Sequence, residues 1–170
     1  LVSQRLIKEI FQNKYDFIIV NFANPDMVGH TGNLAAAIKA VECVDKLLSK
    51  VIESILSRNG VAVVIADHGN VEEMINLQTG EIAKEHTTNI VPFIVAGKQW
   101  ESQSSPTPIL GDGSSSHSAP VKKEEKKQTI KDQMDLSLIQ PVGILADVAP
   151  SILKLMNLKQ PAEMNGKSLI

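Results

Sequence analysis

At 170 residues and 43% hydrophobic content, the chain can enclose one core of ordinary domain size. Its 17 basic and 19 acidic residues leave a net charge of −2 with no basic block able to follow a phosphate backbone, which makes nucleic acid an unexpected partner. A single cysteine, Cys43, excludes an internal disulfide, and its place in an apolar helical pattern predicts a buried small hydrophobe in a reducing compartment, by default the cytoplasm.

A helix is expected from about Ser3 to Gln12. Tyr15 to Phe22 (YDFIIVNF) is a nearly continuous apolar run and predicts a buried strand ended by Asn24-Pro25. After a glycine-containing loop, Leu34, Ile38, Val41, Val44, Leu48, Val51, Ile52 and Ile55 recur at steps of three and four, which predicts one amphipathic helix over 34–57 closed by Asn59-Gly60. Val61 to Ala66 and Val91 to Ala96 read as further strands. Strand, helix, strand implies a right-handed parallel crossover, so the expected class is α/β with a sheet mostly parallel at its centre and flanked by helices. From Ser102 to about Gln133 the chain turns to serine, proline, glycine and a KKEEKK run too polar to offset ordering entropy, which predicts a flexible insertion. The expected organisation is a core over 1–101, the insertion over 102–135 and a return to the same domain over 136–170. There a last helix spans about Ala146 to Met156, with Asp147 as its cap and Pro150 in its first turn. No apolar run approaches the roughly 18 residues of a membrane span, and Leu-Val-Ser-Gln-Arg at the start lacks a signal-peptide layout.

Three loops carry the chemistry. Asp26 and His30, in NPDMVGH, are four residues apart just after the first expected strand and can turn toward one point; alone, the pair also suits a turn-forming aspartate and a surface histidine. Asp67-His68-Gly69 stands at the carboxyl end of the next strand, the edge where parallel sheets place ligands, although a capping aspartate beside an incidental histidine would look the same. His86, in EHTTN, precedes the third strand. Together these put three of the four histidines near one sheet edge, two of them beside aspartates. Mixed imidazole and carboxylate donors suit manganese, zinc, cobalt or iron, and five such side chains exceed the needs of one open catalytic ion, which points to two ions of the kind used in displacement at phosphorus. His117 and Ser114 to Ser116 fall in the low-complexity insertion with nothing beside them to activate a hydroxyl, and Trp100 is expected to pack at its base.

NFANPDMVGHTG, VIADHGNVEEM, EHTTNIVPFIV and LADVAPSILKLMNLKQPAEMNGKSLI, in this order, closely resemble the end of the cofactor-independent phosphoglycerate mutases. Asp-His-Gly alone would indicate only the wider alkaline phosphatase superfamily; the first motif followed by His-Thr-Thr-Asn is specific to the mutases. The resemblance implies an alkaline-phosphatase-like sandwich holding two Mn2+ ions, or Co2+ or another divalent metal, without a 2,3-bisphosphoglycerate primer. It implies that Asp26, His30 and His86 bind one ion and that Asp67 and His68 contribute to the other. It further implies interconversion of 3-phosphoglycerate and 2-phosphoglycerate through a phosphoserine. The motif of that serine, the aspartate that completes the second site and the inserted substrate-binding domain are missing from this chain, so its expected partners are those other parts of the same protein and the fragment alone is expected to be inactive. The family has a much shorter connection between Lys98 and about Pro141. The competing readings are another metal-dependent phosphatase or phosphomutase of the superfamily, and a non-catalytic, truncated metal-binding module.

Overall fold

The computed structural model describes residues 1–76, 78–100 and 140–170. The expected insertion over 102–135, with His117 and the triple serine, lies outside them, as does the packing of the Trp100 side chain.

Among the described residues, four α-helices and two strands order as α1 (Val2–Gln12), α2 (Asn24–Gly29), α3 (Leu34–Ser57), β1 (Ala62–Ile65), β2 (Phe93–Ala96) and α4 (Val148–Leu155). Helix α3 follows the predicted bounds. Asn33 caps it, its Oδ1 accepting the Ala36 N–H at 3.0 Å, and Asn59 closes it in the left-handed region at φ 57°, a conformation asparagine tolerates better than most residues. Ala37 and Val51 are buried and Ala40, Val44, Leu48 and Ile55 half-buried, one stripe at helical spacing; α1 and α2 both pack against this helix. Leu34, Ile38 and Val41 form a second stripe that stays 42–50% exposed. Cys43 is exposed too, contrary to expectation, because α3 carries apolar side chains on more than one face and only one of them is covered.

The strands expected over 61–66 and 91–96 form as β1 and β2, but the first expected strand and the pairing depart from expectation. Tyr15 to Phe22 forms no ladder hydrogen bonds among the described residues, and most of its side chains are exposed, Ile19 at 84%. Among the described residues the sheet is a single antiparallel pair, with Ala62 opposite Ala96 and Ile65 opposite Phe93. A parallel pair would need a crossover, most often a helix, between its strands, and residues 66–92 hold none; they run out and back instead, with further antiparallel bridges at Gly69–Thr87 and Ile75–Ile82 almost in line with the β1–β2 register. Asn76 turns the tip, its Oδ1 accepting the Gln78 N–H at 2.9 Å and its carbonyl accepting Gly80 N–H at 2.7 Å, with Gly80 at φ 72° where a side chain would be strained. The stretch from 62 to 96 is thus one long irregular hairpin.

The last helix begins with a 3-10 turn at Leu145–Asp147. Asp147 stands at the start of α4 as expected but does not cap it. Its carboxylate reaches back to the Ile144 N–H at 2.9 Å and across to the Lys167 N–H at 2.7 Å, while Ser151 Oγ accepts the Leu169 N–H at 2.8 Å, so the final residues are stitched to the helix start. No described helix is long and apolar enough to cross a membrane.

Candidate metal centre

The loop expected between the first run and α3 contains a short helix instead. Pro25 fits the first turn of α2, where its missing N–H costs nothing, and one helical turn separates Asp26 from His30, so both side chains project from one face. The second and third loops are the two arms of the hairpin. The Gly69–Thr87 bridge lies beside both His68 and His86 and brings the two rings together, stacked with centroids 3.6 Å apart and planes at 18°. Packing of α2 against this region completes the cluster. Gly29 allows the approach, because a Cβ there would come 1.9 Å from Asn70 Oδ1 and 2.9 Å from Val71 Cγ1.

Asp26 Oδ1 lies 3.3 Å from His30 Nε2 and 3.2 Å from His86 Nε2, and those two nitrogens are 3.1 Å apart. Asp26, His68 and His86 form an overlapping set whose ligand atoms all lie within 4.8 Å of one another. Asp67, by contrast, is 76% exposed, with its Oδ2 3.7 Å from His68 Nε2. Of the five side chains singled out in the sequence, four converge and Asp67 stands at the rim. His68, read in the sequence with Asp67, falls within the group that contains Asp26 and His86.

The donor chemistry fits a cation. Among the described residues, Asp26 Oδ1 is buried without a hydrogen-bond partner, although two imidazole nitrogens flank it; a bare carboxylate oxygen in that position is costly unless a positive charge faces it. His30 Nδ1 is 2.6 Å from the Lys84 carbonyl oxygen, which can only accept, so Nδ1 holds the proton and Nε2 turns its lone pair toward Asp26 and His86. His68 Nδ1 makes the same kind of contact, 3.2 Å from the Gly69 carbonyl. Separations of 3.1–3.3 Å within the first triad match the edges of a polyhedron around a divalent ion with bonds near 2.1 Å, which are roughly 3.0 to 3.4 Å. A divalent metal is the ligand this cluster suits.

Polar residues that the sequence left without a role surround the cluster. Glu72 accepts hydrogen bonds from the Asn70 backbone N–H at 2.6 Å, from the Thr87 hydroxyl and from the Asn89 amide at 3.1 Å. Burial pushes its carboxyl up, but the hydrogen bonds from Thr87, from its own and the Asn70 backbone and from Asn89 outweigh this and hold it below the usual glutamate value. The motifs ADHGNVEEM and EHTTN held these residues in plain view. What pairs them is the hairpin, which linear spacing did not disclose.

Comparison with known proteins agrees with this picture. The chain is 41% identical over 168 residues to the 2,3-bisphosphoglycerate-independent phosphoglycerate mutase of Clostridium novyi, and 44% identical over 170 residues to that of Chloroflexus aggregans. Each alignment covers 99% of this chain and 26% of the relative, so the chain spans about a quarter of the length of the curated relatives it matches. Among solved structures, the Leishmania mexicana phosphoglycerate mutase determined at low cobalt concentration superposes with a TM-score of 0.65 at 24% identity, covering 98% of this chain and 27% of that one. That likeness supports an alkaline-phosphatase-like α/β fold. The family model described as the Metalloenzyme superfamily matches residues 1–160, and the chain belongs to that superfamily.

Proposed function

We propose that the chain is the metal-binding, carboxyl-terminal part of the phosphatase domain of a 2,3-bisphosphoglycerate-independent phosphoglycerate mutase, which interconverts 3-phosphoglycerate and 2-phosphoglycerate in the cytoplasm. The observation that carries this reading is the buried Oδ1 of Asp26, which among the described residues has no hydrogen-bond partner and lies between two imidazole nitrogens. Asp26, His30 and His86 would hold one divalent ion, manganese in our reading, and Asp67 with His68 would contribute to a second. Divalent metal held by these residues would supply Lewis-acid chemistry, lowering the pKa of a hydroxyl nucleophile and offsetting charge on a phosphoryl group. This chain's own part is orientation. The Lys84 carbonyl fixes the tautomer of His30, the His68–His86 stack fixes both rings, and α2 delivers the carboxylate.

The nucleophilic serine, the remaining carboxylate of the second site and the substrate-binding domain belong, in this reading, to other parts of the same protein. Two features support that division: the chain's quarter share of its relatives' length, and the exposed apolar surfaces of 15–22 and of Leu34, Ile38 and Val41, which suit burial against further strands of a mostly parallel sheet. The fragment alone then has no acceptor for the phosphoryl group and is inactive as a mutase. The test is to incubate the chain, and separately the full-length protein, with Mn2+ and 3-phosphoglycerate and to measure 2-phosphoglycerate and inorganic phosphate. Isomerisation by the full-length protein only is expected. Phosphate release without isomerisation by the full-length protein would favour a phosphatase of the same superfamily, and 2-phosphoglycerate from the fragment would overturn the division of labour.

A further inference from the structure

We infer that Glu72 is a positioning residue whose carboxylate clamps the hairpin arm bearing His68 to the arm bearing His86, so that their rings meet at one point. The inference rests on the metal-centre reading above. Between the arms at this level there is an isolated bridge, with the Thr87 N–H donating to the Gly69 carbonyl at 2.9 Å, whereas β1 and β2 are joined by a regular ladder. One backbone bond is a weak guarantee of ligand geometry. Glu72 supplies the rest, with Oε2 on the Asn70 N–H, two residues after His68, and Oε1 on both the Thr87 hydroxyl, one residue after His86, and the Asn89 amide. Asn89 also donates to Glu73 Oε2 at 3.0 Å. All of the named groups donate to the carboxylate, and such charge-assisted bonds are about twice as strong as neutral ones. Gly69 leaves room for them, because a Cβ there would lie 2.1 Å from Glu72 Oε1 and 2.2 Å from Thr87 Oγ1. Glu72 itself is not in the group of prospective ligands.

The chemistry makes the clamp testable without emptying the space. Glu72→Gln keeps the shape but turns one oxygen into an NH2 group, which faces a nitrogen donor in either orientation, the Asn70 N–H on one side or the Asn89 amide on the other. Thr87→Val removes the hydroxyl with little change in volume, and Thr87→Ser retains it. We would titrate the full-length protein and these variants with Co2+, following the visible absorption bands that report coordination geometry, and record thermal unfolding of the metal-free forms in parallel. Glu72→Gln and Thr87→Val are expected to weaken cobalt binding by about tenfold or more and to alter the bands, with Thr87→Ser close to the parent. If the parent binds no cobalt, the metal-centre reading fails and the clamp with it. Should the parent bind and Glu72→Gln match it in affinity and spectrum, the clamp is wrong while the centre stands. If Glu72→Gln does not fold, the threonine pair decides, and equal binding by Thr87→Val and Thr87→Ser overturns the clamp. Lowered thermal stability with unchanged affinity and bands would show a merely structural role and overturn it as well.

Discussion

Gly29→Ala puts a single methyl group between the two halves of the candidate metal centre. The new Cβ would lie 1.9 Å from Asn70 Oδ1 and 2.9 Å from both Asn70 Cγ and Val71 Cγ1. Relieving the closest of these to an ordinary contact of about 3.5 Å needs about 1.5 Å of movement. Asn70 is only 6% exposed and has little room to swing aside, so much of that movement falls on α2, which carries Asp26 and His30. Overpacking of this kind costs about 1–3 kcal/mol, and the better helix propensity of alanine returns about 0.5–1 kcal/mol at most, leaving a net loss of up to about 2.5 kcal/mol. Metal bonds hold to about 0.2 Å, so a displacement several times larger should lower Mn2+ affinity by at least about tenfold, equivalent to about 1.4 kcal/mol. Urea unfolding of the metal-free protein and calorimetric titration with Mn2+, both on the full-length form, measure the two effects separately. A variant that is as stable as the parent or more so, and binds manganese equally well, would refute the argument that Gly29 sets the approach of α2 to the His68 loop.

Other substitutions follow from the same geometry. His86→Ala removes a side chain common to both overlapping triads, so its loss of Mn2+ affinity should exceed the roughly 10- to 100-fold typical of losing an outer-shell partner; titration of the intact protein checks this. Asn33→Ala deletes the cap of α3 and should cost about 1 kcal/mol in urea unfolding with no change in metal spectrum. For Asp147, the hydrogen bonds from the Ile144 and Lys167 backbones, partly opposed by burial and aided by the Lys167 charge, hold the carboxyl below its ordinary 3.8. A group depressed in the folded state stabilises it above its unfolded pKa, and that contribution disappears as pH falls through the lower folded value. Unfolding midpoints taken from about pH 6 down to about pH 2 should therefore fall more steeply for the parent than for Asp147→Asn; identical acid limbs would remove Asp147 as a source of the pH dependence.

The sequence disclosed long-period features and concealed pairing. Helix α3 was legible because 24 residues give its apolar period many repeats and because Asn33 and Asn59-Gly60 mark its ends. Residues 61–66 and 91–96 were legible as strands, but a short apolar run carries no direction, and the antiparallel answer came from the Asn76–Gly80 turn and the two bridges within what looked like a featureless polar loop. The same turn explains why His68 and His86 stack, which separate loops on one sheet edge did not require. Asp26 and His30 were found by their spacing, although the helix that makes this spacing useful is too short for periodicity to reveal. Burial was the least legible property. Cys43 and the 15–22 run read as core from composition, and whether such residues are covered depends on surfaces that a local pattern does not contain.

The cluster joins residues far apart in the chain, and this bears on unfolding as well as on chemistry. An ion held jointly by Asp26 and His86 closes a loop of about 60 residues, as a covalent cross-link between those positions would. On the chain-entropy estimate used for disulfides, a closure of that length removes about 14 cal/mol/K from the unfolded ensemble, or about 4 kcal/mol at room temperature, as an upper figure for a bond that can dissociate. The ion would thus act as a reversible staple through α2, α3 and the whole outward arm of the hairpin. Chelation should then lower the temperature at which all of these elements melt together.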